Sequence, residues 1–235
     1  MPLDNFRPLG KLPTDIERES LQDSPDVIFI EPEYGDSPIH FGNIPNDNHP
    51  PLQIGPGEDF LRNVYSALTS NPDKWAGTML IITHDEHGGF FDHVPPPGIK
   101  SPPPDGAGYT QGFETTGLRV PTLVVSPWVA PGKCYPPDLS KAGQYLDHTS
   151  ILQMLGEKFA GGARNYSDDV SRRLDQGIQS ASAVLSDNRQ AGEVPAIPDT
   201  PIRALVVLHS VNPLNTENQA AFALSADQLV TKPGR

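Results

Sequence analysis

Residues 78–97, TMLIITHDEHGGFFDHVPPP, decide how this chain is read. The run TMLII (78–82) is apolar and β-branched, which predicts a buried strand. Between Thr83 and His93 follow three of the chain's seven histidines and three carboxylates, and then a wall of three prolines. A polar cluster leaving the C-terminal end of a buried strand is where open α/β sheets place their ligands.

Working outward, DVIFI (26–30) predicts another buried strand, ended by Glu31-Pro32. A long loop follows to about residue 56, rich in Pro, Gly, Asn and Asp; loops of that length inside compact domains are usually functional or disordered. Gly57-Glu58-Asp59 opens a predicted helix in which Phe60, Leu61, Val64 and Leu68 share a face and two acids occupy the first turn. Strand, loop, helix, strand is the start of a βαβ unit. A strand is predicted around 120–126, with Pro121 tolerable only near its start. A helix follows with an Ile151, Leu152, Leu155, Phe159 stripe, a Ser150/Gln153 capping box and a Gly161-Gly162 stop. A third helix is predicted from Ser167 or Asp168 to about Ser180, carrying Val170, Leu174 and Ile178, and a last strand at ALVVL (204–208). The expected fold is α/β, built as one domain.

Proline and glycine, 27 and 21 of 235 residues, predict long, stiff loops. A net charge of -12 disfavours a nucleic-acid partner, since affinity for the phosphate backbone is carried by clustered Lys and Arg. No run approaches eighteen apolar residues, and MPLDNFRPLGKLP lacks the pattern of a secretory signal, so no stable membrane insertion is expected. Cys134, the one cysteine, allows no intrachain disulfide and no cysteine-based zinc site.

Hard divalent cations take carboxylate oxygens, and a sharp turn at a strand end aims consecutive acids such as Asp85 and Glu86 into one cavity. Gly88 and Gly89 let backbone or ligand approach closely. Asn46-Asp47-Asn48-His49-Pro50 in the long loop and Asp147-His148 ahead of a helix are further polar spots at the same expected sheet edge. The bland reading, that these side chains cap helices and tie down loops, applies to Asp147 at least as well as catalysis does. His40 and His209 read as structural. There is no GxSxG, P-loop, GxGxxG or HExxH, so the serine hydrolase, P-loop enzyme and zincin readings lose support, and a metal-assisted hydrolase remains.

The segments FIEPEY (29–34), NDNHPP (46–51), GEDFLRNVYSAL (57–68), TMLIITHDEHGGFFDHVPPP, GLRVPTLVVSPWV (117–129) and YLDHTSIL (145–152) together resemble the bacterial phosphoesterase family of non-haemolytic-type phospholipases C and AcpA-like acid phosphatases. The resemblance covers roughly residues 26–160, with 161–235 as a C-terminal extension. It implies an alkaline-phosphatase-like α/β fold, with a mostly parallel sheet flanked by helices, and hydrolysis of phosphate monoesters or diesters assisted by a divalent metal ion of unknown identity. By the same resemblance Asp85 and Glu86 are metal ligands, His49 lines the phosphate site, and His87 and His148 support it.

The family's Glu-Asn-x-Ser-Phe-Asp-His motif and its Ser or Thr nucleophile are not in this sequence, so the chain resembles the C-terminal half of such a protein, truncated on the N-terminal side. Ser126 and Thr83 are the hydroxyls weighed as stand-ins. A small-molecule phosphate ester or phospholipid head group is the expected substrate, and a sheet short of neighbouring strands makes a homo-oligomer an expectation. Export or a periplasmic location is implied by the resemblance alone. Two alternatives stand beside this reading: a promiscuous carboxylic-ester hydrolase, and a non-catalytic domain that binds an anion or a partner.

Overall fold

In the first part of the chain the dominant element is a helix where the apolar stripe predicts one. The computed structural model describes residues 6–18, 20–35, 44–103, 105–136, 145–190 and 194. They divide into two compact units, one with the residues up to Thr78 and residue 194, and one with those from Met79 to Gln190.

The first unit holds α1 (Leu12–Arg18), α2 (Gly55–Thr69) and α3 (Pro72–Trp75). Glu58 sits in the first turn of α2, where the helix dipole favours a negative charge. The stripe buries Val64, Ala67 and Leu68, and Ile16 of α1 and Trp75 of α3 complete this core. Asn71 caps α3 by accepting a hydrogen bond from the Lys74 amide (3.2 Å), which turns the chain so that Trp75 meets Tyr65 edge-on, with ring centroids 6.0 Å apart. The buried Lys74 is satisfied by donating to the Asp15 carbonyl (3.4 Å).

The strand expected at 26–30 does not form. Asp26–Ile30 carries no ladder, and Phe29 is 78% exposed. Hydrophobic composition alone does not make a strand; a partner must take its N–H and C=O groups, and no strand is present among the described residues of this unit.

The second unit contains β1 (Leu80–Thr83), β2 (Gly98–Ser101), β3 (Phe113–Thr115) and β4 (Thr122–Val125), then α4 (His148–Phe159) and α5 (Asp168–Asp175). β1 pairs antiparallel with β4, in register from Leu80↔Val125 to Thr83↔Thr122. β2 pairs antiparallel with β3 between the strands predicted at 78–82 and 120–126, where the sequence reading predicts neither. The predicted sheet is mostly parallel; among the described residues both ladders are antiparallel, and parallel pairing is limited to the Tyr145↔Ile178 bridge. Parallel neighbours need a long crossover, usually a helix. Here the connection from β1 to β4 carries a strand pair of its own.

α4 begins one turn earlier than its predicted capping box. Asp147 is the N-cap and accepts from the Thr149 amide (2.7 Å), while Ser150 accepts from the Asp147 amide (3.0 Å). This leaves Ser150 and Gln153 for the interior, where the Gln153 amide donates to the Ile178 carbonyl (3.1 Å). α5 starts at its Ser167 cap as expected but stops at Asp175, because Gly177 takes a left-handed φ of 90° and Ile178 is buried against Tyr145 instead. The strand predicted at 204–208 lies outside the described residues, as does most of 161–235 beyond Gln190.

α4 ends by folding back over Gly156. A Cβ there would lie 2.8 Å from the Gly162 carbonyl oxygen and 3.0 Å from that of Ala163. Alanine is intrinsically about 1 kcal/mol better than glycine inside a helix, yet crowding backbone atoms costs about 1–3 kcal/mol. Gly156→Ala is therefore expected to lower the urea midpoint; a raised midpoint would show that the return turn yields.

Candidate active site

β1 ends at Thr83, whose hydroxyl meets that of Thr122 across the ladder (2.8 Å). The ladder stops there because the next residue on β4's side is Pro121, which has no N–H to donate. His84 compensates in part, its Nδ1 lying 3.4 Å from the Pro121 carbonyl oxygen. The chain then leaves as a loop, turned by left-handed φ values at Gly88 (67°) and Gly89 (75°).

Asp85 and Glu86 sit exposed at the head of this loop. Each carboxylate is engaged by its own backbone: the Glu86 amide donates to Asp85 Oδ1 (3.0 Å), and the Gly88 amide to Glu86 Oε2 (2.7 Å). His87 Nδ1 lies 3.5 Å from Glu86 Oε2. His148, the first residue of α4, places Nε2 2.7 Å from the His84 carbonyl oxygen. A carbonyl only accepts, so Nε2 carries the proton and Nδ1 is left as the basic nitrogen. Asp147 fixes that arrangement through its cap and through Arg173, whose Nη1 donates to Asp147 Oδ2 (3.2 Å). Structural capping and site building are thus joined at one residue.

The second unit therefore sets His87 beside Glu86 and brings His148 to the backbone at the root of the loop that carries Asp85 and Glu86. His49 belongs to the first unit, exposed, with Nδ1 2.6 Å from the Pro50 carbonyl oxygen. Its neighbours do structural work: Asn46 accepts from the Glu33 amide (2.7 Å) and Asp47 from the Gly35 amide (2.6 Å), closing the ends of the long loop. Asn48, at φ 59°, lays its amide against Gly57 in the first turn of α2, and among the described residues its buried Oδ1 finds no hydrogen-bond donor. Of the two candidate hydroxyls, Thr83 is in the cross-strand pair and Ser126 accepts from the Trp128 amide (3.2 Å). His40 and His209 lie outside the described residues.

Asp92 is the residue that sequence reasoning missed. Its carboxylate is only 12% exposed and takes both Nε and Nη2 of Arg119 at 2.8 Å, plus the Val94 amide at 3.0 Å. These bonds from Arg119, and then the Val94 amide, hold the Asp92 carboxyl well below the usual carboxylate range. The signal was present as an Arg two residues before the proline that ends the ladder, but its partner is 27 positions away.

Among the described residues, no three His, Cys, Asp or Glu side chains gather to form a metal cage. Asp85 and Glu86 nevertheless carry hard oxygen donors of the kind that divalent cations take, and one or two carboxylates together with substrate phosphate would be enough for such an ion. The donor chemistry fits a divalent cation as a partial set.

The chain belongs to the Phosphoesterase family, which it matches over residues 3–160. It is 45% identical over 112 residues to non-specific phospholipase C6 of Arabidopsis thaliana, covering 46% of this chain and 21% of that protein. It is 30% identical over 211 residues to non-specific phospholipase C4 of the same plant (86% of this chain, 37% of that protein). With the non-hemolytic phospholipase C of Burkholderia pseudomallei it shares 35% identity over 173 residues (65% and 23%). The chain thus spans at most about two fifths of these relatives.

Proposed function

We propose that this chain contributes the Asp-Glu half of a phosphate-ester hydrolase site, with a phosphomonoester, phosphodiester or phospholipid head group as substrate. The observation that carries the reading is the pair of consecutive exposed carboxylates leaving β1, with the imidazole of His148 hydrogen-bonded to the root of the same loop. Family membership and the names of the phospholipase C relatives support the substrate class. The finer fold belongs to the same proposal: residues 1–235 contribute part of a single alkaline-phosphatase-like domain.

Asp85 and Glu86 would hold the divalent cation, with Asp85 Oδ1 and Glu86 Oε2 each already accepting a backbone N–H of the loop. Bound there, the cation would draw charge from a phosphoryl oxygen. His87 orients Glu86. His148, with its proton fixed on Nε2, can take or return a proton at Nδ1, which suits a leaving oxygen or an attacking hydroxyl. His49 keeps its proposed phosphate-lining role on the family resemblance alone; its Nδ1–H is given to the Pro50 carbonyl oxygen, which leaves Nε2 as the available ring nitrogen. Homo-oligomerisation is supported by the ladder of β1 and β4, an apolar sheet in which no residue is fully buried.

The test is hydrolysis of p-nitrophenyl phosphate and bis-p-nitrophenyl phosphate by the purified chain, with added Mg²⁺, Mn²⁺, Ca²⁺ or Zn²⁺ and with EDTA, alongside sedimentation velocity on the same sample. Turnover that appears with metal and disappears with EDTA is expected. Turnover indifferent to EDTA would remove the cation from the reading, and a monomer at all concentrations would remove the oligomer.

A further inference from the structure

The loop that carries Asp85 and Glu86 is tied at both ends to one short segment. At its start Thr83 pairs with Thr122 and His84 reaches the Pro121 carbonyl. Continued past Thr83↔Thr122, the same register would bring Glu86 opposite Arg119. It does not: Asp92 takes Arg119, and residues 85–91 are pushed out as a loop. The ladder is in effect interrupted after Thr83 and rejoined, by side chains, at Asp92. Loops closed this way are held by the contact at their base.

We infer that Asp92 and Arg119 are positioning residues, a two-pronged clamp that keeps the loop bearing Asp85 and Glu86 in its closed form; the consequence for the cation rests on the ligand roles proposed above. The geometry suits a clamp. A guanidinium fork on a carboxylate fixes direction as well as distance, which a single ammonium contact does not. The Val94 amide on the same Oδ1 orients the carboxylate from the chain that follows. The guanidinium is about half exposed while the carboxylate is nearly covered, so the fork reaches in from the surface to a fixed acceptor. Asp92 and Arg119 are engaged with each other, so both act on the reaction through the loop.

The decisive measurement is hydrogen exchange on the metal-free full chain, comparing the parent with Arg119→Ala, Asp92→Asn, Arg119→Lys and the Arg119→Ala/Asp92→Asn pair. Exchange at the Glu86 and Gly88 amides should quicken about tenfold or more in the first two variants. Amides of α4 and α5 should stay unchanged, which separates loop release from general unfolding. Arg119→Lys should recover only part of the protection, and the double variant should be no worse than either single one, as coupled partners require.

Mn²⁺ titration of the same proteins should show affinity weakened about 10–100-fold, the usual penalty for losing a group that orients metal ligands. Loop exchange at the parent rate in both single variants would overturn the clamp, whatever the metal data. Mn²⁺ binding by the parent that ignores Asp85→Asn would instead overturn the ligand roles, and the exchange rates would still decide the clamp. Asp92→Asn preserves shape, so it decides the matter if Arg119→Ala does not fold.

Discussion

Asp85→Asn is expected to lower metal-dependent phosphate-ester hydrolysis by at least about 100-fold, beyond the 10–100-fold typical of groups that only orient ligands, with no loss of stability. The substitution keeps the shape and keeps the acceptor: the carbonyl oxygen of asparagine can still receive the Glu86 amide. What is lost is the negative charge, and with it the affinity of a hard cation for that oxygen. Stability should hold or rise, because two adjacent carboxylates without a cation repel one another. Glu86→Gln should behave alike, since the Gly88 amide retains its acceptor. The measurement is turnover at saturating metal beside a thermal melt. Activity within twofold of the parent would remove Asp85 from the ligand set; a loss of activity matched by a lowered melt would mean that the loop, not the charge, had been damaged.

The second large effect is on stability. Trp75→Ala should cost about 3–5 kcal/mol, the range for truncating a buried aromatic ring, out of a total of about 5–15 kcal/mol for a typical domain. Trp75 is 5% exposed and is the largest member of a core otherwise made from Ile16, Val64, Ala67 and Leu68. It also loses the edge-on contact with Tyr65. Trp128, the second of the chain's two tryptophans, lies in the other unit. In the variant its fluorescence should still report a transition in urea, while circular dichroism shows that helix has been lost at lower denaturant. Coincident transitions at the parent midpoint would mean that the first unit tolerates the cavity.

The parts of this architecture that were legible in the sequence are those governed by near neighbours. Val64 and Leu68 announce α2 because a helix repeats every few residues, and TMLII announces β1 because its composition is so one-sided. The placement of Asp85 and Glu86 just past a strand end could be read because an apolar run followed by two glycines is a local pattern. What escaped depends on distant partners. Val27, Ile28 and Phe29 have the composition of a strand and no ladder, and strand pairing is not written in the strand itself. Val170, Leu174 and Ile178 keep helical spacing, but Tyr145, more than thirty residues back, claims Ile178. Phe113–Thr115 pairs with Gly98–Ser101, the second of which lies among prolines and the first outside any predicted element. The contact of His148 with the His84 carbonyl and the fork of Arg119 on Asp92 are long-range for the same reason.

The antiparallel ladder of β1 and β4 also sets an order in time. Its pairs join residues 39 to 45 positions apart, whereas the helices close their bonds within a single turn. Contacts between distant residues form late, since the chain must lose loop entropy before they repay it. Helical circular dichroism should therefore recover before hydrolysis does when the chain is diluted out of denaturant, and simultaneous recovery would speak against this sequence of events. The part of the molecule that would do chemistry is the part that arrives last.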